Sequence, residues 1–159
     1  MPNTISENKR ILGLDWGHRR IGIAISDSDG MLATPYSTIA AKDTQDDINA
    51  ILAIVEQEGV GLILVGLPLS LDGTVGPQAK STLVFCHILR AASQVPIETW
   101  DERYTTAEAE RLLRSTGVSP SRDRARLNSA AAAVLLQSYL DVHRDLDRRS
   151  CVDESPHRD

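Results

Sequence analysis

Apolar positions recur along this chain with two spacings, alternation and a three-to-four-residue repeat, and these predict strands and helices in a definite order. Two apolar runs, Ile11-Leu12-Gly13-Leu14-Asp15-Trp16 and Ile21-Gly22-Ile23-Ala24-Ile25-Ser26, are split by Gly17-His18-Arg19-Arg20, which predicts a β-hairpin. Met31–Ile39 reads as a third strand, and Pro35 places it at a sheet edge or ends it there. Asp43–Gln57 has helical spacing with Ile48, Ile51, Leu52 and Val55 on one face. Gly61–Gly66 is a short continuous apolar run, as expected of a central strand covered on both faces. A loop from Leu67 to Gly76 leads to Pro77, which opens a helix carrying Ala79, Leu83, Phe85, Cys86 and Leu89 to about Ser93. Val95–Glu102 predicts a fifth strand. Thr105 to Glu108 resembles a capping signal for a helix reaching Ser115 and ended by Gly117. Asn128 to about His143 predicts the last helix.

Three strands as a meander, followed by helix, strand, helix, strand, helix, helix, imply a mixed five-stranded sheet, antiparallel in its first three strands, with helices on both faces. That α/β order matches the ribonuclease H-like architecture, which the actin-like ATPases share. The expected organisation is a flexible N-terminus over 1–9, one domain over 10–143, and a charged, mobile tail over 144–159.

Composition narrows the possibilities. A chain of 159 residues buries one substantial core, and 42% hydrophobic with 25% charged residues is ordinary for a soluble domain. A formal net charge of −5 means that nucleic-acid binding would use a local basic patch on an acidic background. Cys86 and Cys151 show neither metal-ligand spacing nor a disulfide framework. No leader segment and no membrane-spanning apolar run is evident, so the expected compartment is the cytoplasm, with no membrane partner.

Asp15 stands inside an apolar strand, where a carboxylate is costly unless paired or bound to a metal. It is read either as a cap on the hairpin turn or as a metal ligand. Glu102, at the end of the fifth strand, is the candidate partner, on the expectation that the first and fifth strands are neighbours. Side chains alternate along a strand, so only one of Asp101 and Glu102 can join Asp15. Asn128 lies on a helical stripe with Ala132, Leu135, Tyr139 and Val142, and the alanines from Ala130 to Ala133 permit close approach to the sheet. It is read either as a helix N-cap or as the third site residue. Such a set suits two-metal phosphodiester hydrolysis, and oxygen-only ligands favour Mg²⁺ or Mn²⁺. Converging carboxylates are expected to raise each other's pKa when no metal is bound.

Several ordered motifs carry a more specific resemblance. Asp15-Trp16-Gly17 with Arg20-Ile21-Gly22-Ile23-Ala24, Val65-Gly66-Leu67-Pro68 with Asp72-Gly73-Thr74 and Gly76-Pro77-Gln78, Asp101-Glu102-Arg103 with Thr105-Thr106-Ala107-Glu108-Ala109, and Leu136-Gln137-Ser138-Tyr139-Leu140 resemble the YqgF/RuvX family. Its members are named as pre-16S rRNA nucleases or Holliday-junction-resolvase-like proteins. The resemblance implies a divalent-metal nuclease acting on RNA, in 5′-end maturation of pre-16S rRNA within the pre-ribosomal particle, rather than on structured DNA. It places catalytic and metal-binding roles on Asp15, Glu102 and Asn128, and Asn128 stands where the family usually has an aspartate. The site then has one negative charge fewer, and Asp123 replaces it only if the chain between them is not helical.

Arg20, Arg103, Arg122, Arg124 and Arg126 are candidate nucleic-acid contacts, alongside the alternative of solvated arginines pairing nearby acids. Gly73, Thr74 and Gly76 form a candidate phosphate-binding loop before Pro77, or else a tight turn. Trp100 and Phe85 read as core residues. Two further functions remain open: a non-catalytic RNA-binding or ribosome-assembly factor, because of Asn128, and an actin-like phosphotransferase. Endo- or exonucleolytic mode and oligomeric state are not set by these patterns.

Overall fold

The computed structural model describes residues 9–105, 107, 111, 114 and 124–153. Strands β1 (Arg10–Trp16), β2 (Arg20–Ser26) and β3 (Ala33–Ala40) precede helix α1 (Thr44–Glu58). Strand β4 (Val60–Leu67), helix α2 (Pro77–Ala92) and strand β5 (Ile97–Asp101) follow. A short 3-10 turn (Glu102–Tyr104) leaves β5, and helix α3 (Arg124–Asp153) is the last described element. The sheet order is β3-β2-β1-β4-β5. β1, β2 and β3 pair antiparallel, whereas β1 with β4 and β4 with β5 pair parallel. β3, which contains Pro35, takes the edge that its missing N–H favours.

Local chemistry sets the bounds of α1 and α2 close to where the sequence predicts. The Asp43 carboxylate accepts the Gln45 N–H at 3.2 Å and caps α1, and Gly59 closes that helix with φ 65°. Pro77 occupies the first turn of α2.

The two faces of the sheet are built from residues of different size. Leu12, Leu14, Ile21, Ile23, Ile63 and Val65 pack with Ile48 and Ile51 of α1 and with Phe85, Cys86 and Leu89 of α2. On the opposite face Ala24 and Leu64 meet Ala132, Ala133, Leu136, Tyr139 and Leu140 of α3. Alternation sends Gly13 and Asp15 of β1, Gly22 of β2 and Gly66 of β4 to this α3 face. A Cβ at Gly22 would overlap the carbonyl of Asn128, so a bare position here lets the start of α3 lie on the sheet. At Gly13 a Cβ would stand 3.0 Å from Leu136 Cβ and 3.3 Å from Ala132 O, the same close approach two turns along.

Gln137, fully buried on α3, ties down the edge strand. Its Oε1 accepts the Ala33 N–H at 2.8 Å, and its Nε2 donates to Met31 O at 3.1 Å and to Asp141 Oδ1 at 3.0 Å. Gln137→Ala would leave the buried Ala33 N–H unpaired, a loss of about 1–3 kcal/mol. Urea denaturation should show that loss, and an unchanged midpoint would mean that β3 is anchored elsewhere.

Several expected boundaries move. β3 begins at Ala33 rather than Met31, because Asp27 takes the Met31 and Leu32 N–H groups into a turn. Leu83 lies 36% exposed, and Thr82 takes the buried position on α2 instead. α3 starts at Arg124 and runs to Asp153, so Asn128 is its fifth residue and not its N-cap, and the helix does not stop near His143. β5 pairs with β4, which separates it from β1, so the first and fifth strands are not neighbours. The helix expected from Thr105 to Ser115 falls largely outside the described residues, as do Gly117, Ser119–Arg122 and Asp123. Among the described residues no helix is long and apolar enough to cross a membrane.

Candidate active site

β1, β4 and β5 run in the same direction, and their carboxyl ends form one edge of the sheet, the edge at which parallel α/β sheets place their ligands. Asp15 lies there, opposite Gly22 of β2 and one step beyond the Leu14–Val65 pair, hence level with Gly66 of β4. Glycine therefore flanks Asp15 on both neighbouring strands. Glu102 reaches Asp15 from the far side of β4, across this gap. A Cβ at Gly66 would sit 2.9 Å from Glu102 Oε1 and 2.9 Å from Leu135 Cδ2, so any side chain there would push the glutamate away. Glu102 is not on the strand, as the sequence suggested, but is the first residue of the 3-10 turn that follows it.

The two carboxyl groups hydrogen-bond each other. Burial, then the charges of Asp15 and Asp101, and then this hydrogen bond, push the Glu102 pKa up to about 7. Asp15 is also raised, by burial, whereas its hydrogen bond from Glu102 lowers it. The expected elevation by a neighbouring carboxylate is present at Glu102, whereas burial is what raises Asp15. Together with Thr105, Ala131, Val134 and Leu135, the pair lines a cleft of about 230 Å³.

Two half-buried carboxyls side by side are the kind of oxygen donor that fits a hard divalent ion. Among the described residues no three His, Cys, Asp or Glu side chains cluster to hold an ion unaided. A third oxygen would come from an amide, a hydroxyl or water. The Asn128 carbonyl rests over Gly22, the cross-strand partner of Asp15, although Asn128 is not among the residues that line the cleft. Thr105 also lines the cleft, a residue that the sequence pattern assigns only to a helix cap.

The proton shared by the pair makes stability depend on pH. The Glu102 pKa of about 7 lies above its ordinary 4.5, so the folded state holds this proton more tightly than the unfolded chain does. That stabilisation is complete below about pH 4.5 and is lost as pH rises through about 7. Melts of the metal-free protein should lose stability across this window. Glu102→Gln, which mimics the protonated acid, should flatten that part of the profile. A profile unaltered by the substitution would assign the titration to another group.

Asp101, on the other face of the strand end, is taken by Arg103. The guanidinium bonds both carboxylate oxygens, with Nη2 to Oδ2 at 2.6 Å and Nε to Oδ1 at 3.1 Å, and this holds Asp101 below the usual carboxylate range. Arg103 also donates to Leu71 O at 3.4 Å and so ties the end of β5 to the loop after β4. Its first engagement is structural, although it was singled out as a nucleic-acid contact. Arg20 is exposed at the start of β2, on the same face as Gly22. Arg124 and Arg126 lie in the first turn of α3, and Arg122 is outside the described residues.

In the loop before α2, Gly73 N–H donates to Ser70 O at 2.8 Å and Thr74 N–H to Asp72 Oδ1 at 3.0 Å. Those donors are used within a turn, with Gly73 at φ 87°, and Gly76 remains as the N-cap of α2. The Gly73 and Thr74 donors therefore already have partners within the loop. Phe85 is buried as expected, whereas Trp100 is only partly buried, against the α3 cluster.

A sheet of this order, helices on both faces and acids gathered at the carboxyl edge of its parallel strands define the ribonuclease H-like class. Two solved structures share that fold. T. thermophilus RuvC in complex with Holliday junction substrate aligns with a TM-score of 0.59 at 11% identity, over 85% of this chain and 96% of that one. The yeast mitochondrial Holliday junction resolvase Ydc2 aligns with a TM-score of 0.55 at 12% identity, over 92% and 86%. Residues 9–142 match the RuvX family, described as Holliday junction resolvase, and the chain belongs to that family of nucleases. A relative from Chloroflexus aurantiacus, named "Putative pre-16S rRNA nuclease", is 43% identical over 92% of this chain and 95% of its own length. One of the same name from Synechococcus sp. is 45% identical over 84% of this chain and 90% of its own.

Proposed function

We propose that this protein is a divalent-metal-dependent nuclease that hydrolyses RNA phosphodiester bonds in the cytoplasm, in 5′-end maturation of pre-16S rRNA. The observation that carries the chemistry is the hydrogen-bonded Asp15–Glu102 pair, reaching across Gly66 with the Glu102 pKa near 7. The names of the relatives supply the substrate.

Asp15 and Glu102 would hold Mg²⁺ or Mn²⁺, with Asn128 as a neutral third oxygen ligand. When bound, the metal supplies charge stabilisation for the attacking and leaving oxygens of the phosphodiester. Asp15 and Glu102 orient the site by facing each other over a glycine, and Ala131, Val134 and Leu135 form its apolar wall. Arg20, at the edge of that face, and Arg122, Arg124 and Arg126, at and before the start of α3, would contact phosphates. The Gly73–Gly76 turn serves mainly to position α2.

A second reading, a non-catalytic RNA-binding or assembly factor, is favoured by one feature: an amide stands where a third acid is expected. Incubation of a ribosomal RNA precursor fragment with the protein and Mg²⁺ separates the two. Metal-dependent cleavage that Glu102→Gln removes supports the nuclease. Salt-dependent RNA binding without cleavage supports the assembly factor.

A further inference from the structure

Of the six aromatic side chains in this chain, Tyr104 is the most exposed, at 58%. It stands two residues after Glu102, on a turn braced at both ends. The Asp101 carboxylate accepts the Arg103 N–H at 2.9 Å, and the Thr105 N–H donates to Glu102 O at 3.1 Å. One side of the Tyr104 ring leans on Trp100, with centroids 5.5 Å apart, and Trp100 is backed edge-on by Tyr139 at 5.3 Å. The exposed ring thus stands on a braced turn, with Trp100 beside it. Its π-face suits a base, and aromatic stacking is how proteins hold unpaired nucleotides without reading their sequence.

We infer that Tyr104 is a stacking shelf for one unpaired nucleobase of a single-stranded RNA segment, flanking the phosphate presented to Asp15 and Glu102. This rests on the nuclease reading above. One ring is enough for the purpose, which agrees with a chain of only 4% aromatic residues.

The test uses the full chain carrying Asp15→Asn to block cleavage, and single-stranded RNA in which 2-aminopurine, whose fluorescence falls on stacking, is stepped along the strand. Quenching is expected at one position. Tyr104→Ala should abolish it and weaken binding by about 5- to 150-fold, the range for one stacked base, whereas Tyr104→Phe should retain both. An abasic nucleotide at that position should weaken binding in the parent protein and cause no further loss in Tyr104→Ala. If RNA binds but no quenching depends on Tyr104, or if the abasic and Tyr104→Ala losses add, the shelf is overturned and the nuclease reading stands. Should Tyr104→Ala not fold, Tyr104→Leu, which keeps apolar bulk without a π-face, is read by the same criterion. If the RNA does not bind at all, the shelf and the RNA substrate fall together.

Discussion

Asp15→Asn is expected to lower metal-dependent RNA cleavage by at least about 100-fold, the scale on which loss of one preorganised electrostatic contact acts, without unfolding the protein. Asp15 is half-buried between two glycine positions, and its burial already raises its pKa, so the anion is held at a cost in the metal-free state. An amide of the same shape removes that cost and keeps a polar partner for Glu102. The metal-free variant should therefore melt at the same temperature or slightly higher. The Glu102 pKa should fall as well, because one of the charges that raises it is gone. Cleavage at saturating Mg²⁺ that survives the substitution would remove Asp15 from the reaction.

Asn128→Asp is expected to tighten Mg²⁺ or Mn²⁺ binding by roughly tenfold or more and to raise cleavage with it. A unit charge attracts another by about 4 kcal/mol at 4 Å in a partly screened site, and desolvation and repulsion by the two existing acids offset part of this. An amide offers only its dipole. The same repulsion should lower the stability of the metal-free variant, and added metal should restore it by binding the folded state alone. Melts with and without Mg²⁺, run beside the cleavage assay on both proteins, check the pair of effects. If the natural sequence is inactive and the variant gains neither metal binding nor cleavage, the non-catalytic reading replaces the nuclease.

Much of this architecture was written in short-range patterns. Alternation in β1 and β2, the helical spacing of α1 and Pro77 at the start of α2 act within a few residues of themselves. They therefore read the same in the chain as in the fold. Pro35 limited its strand to an edge or to ending there for the same reason, since the missing donor is a property of that residue. Asp15 and Glu102 were recognisable as candidates because a carboxylate in or beside an apolar strand needs a partner wherever the strand lies.

What joins those candidates belongs to the tertiary structure. The expectation that the first and fifth strands adjoin was wrong, because β4 lies between them, and strand order is set by packing across the whole sheet. Only this order gives Gly66 its role: a glycine that closes an apolar run in the sequence is the opening through which Glu102 meets Asp15. Gly22 likewise gains its meaning from the helix that rests on it, more than a hundred residues further along the chain. The assignment of Asp101 to Arg103 and the arrival of Thr105 in the cleft follow from how the turn leaves β5. Residue types determined which groups needed partners. Close packing of strands and helix decided which partners they obtained, because it works at separations that no local pattern spans.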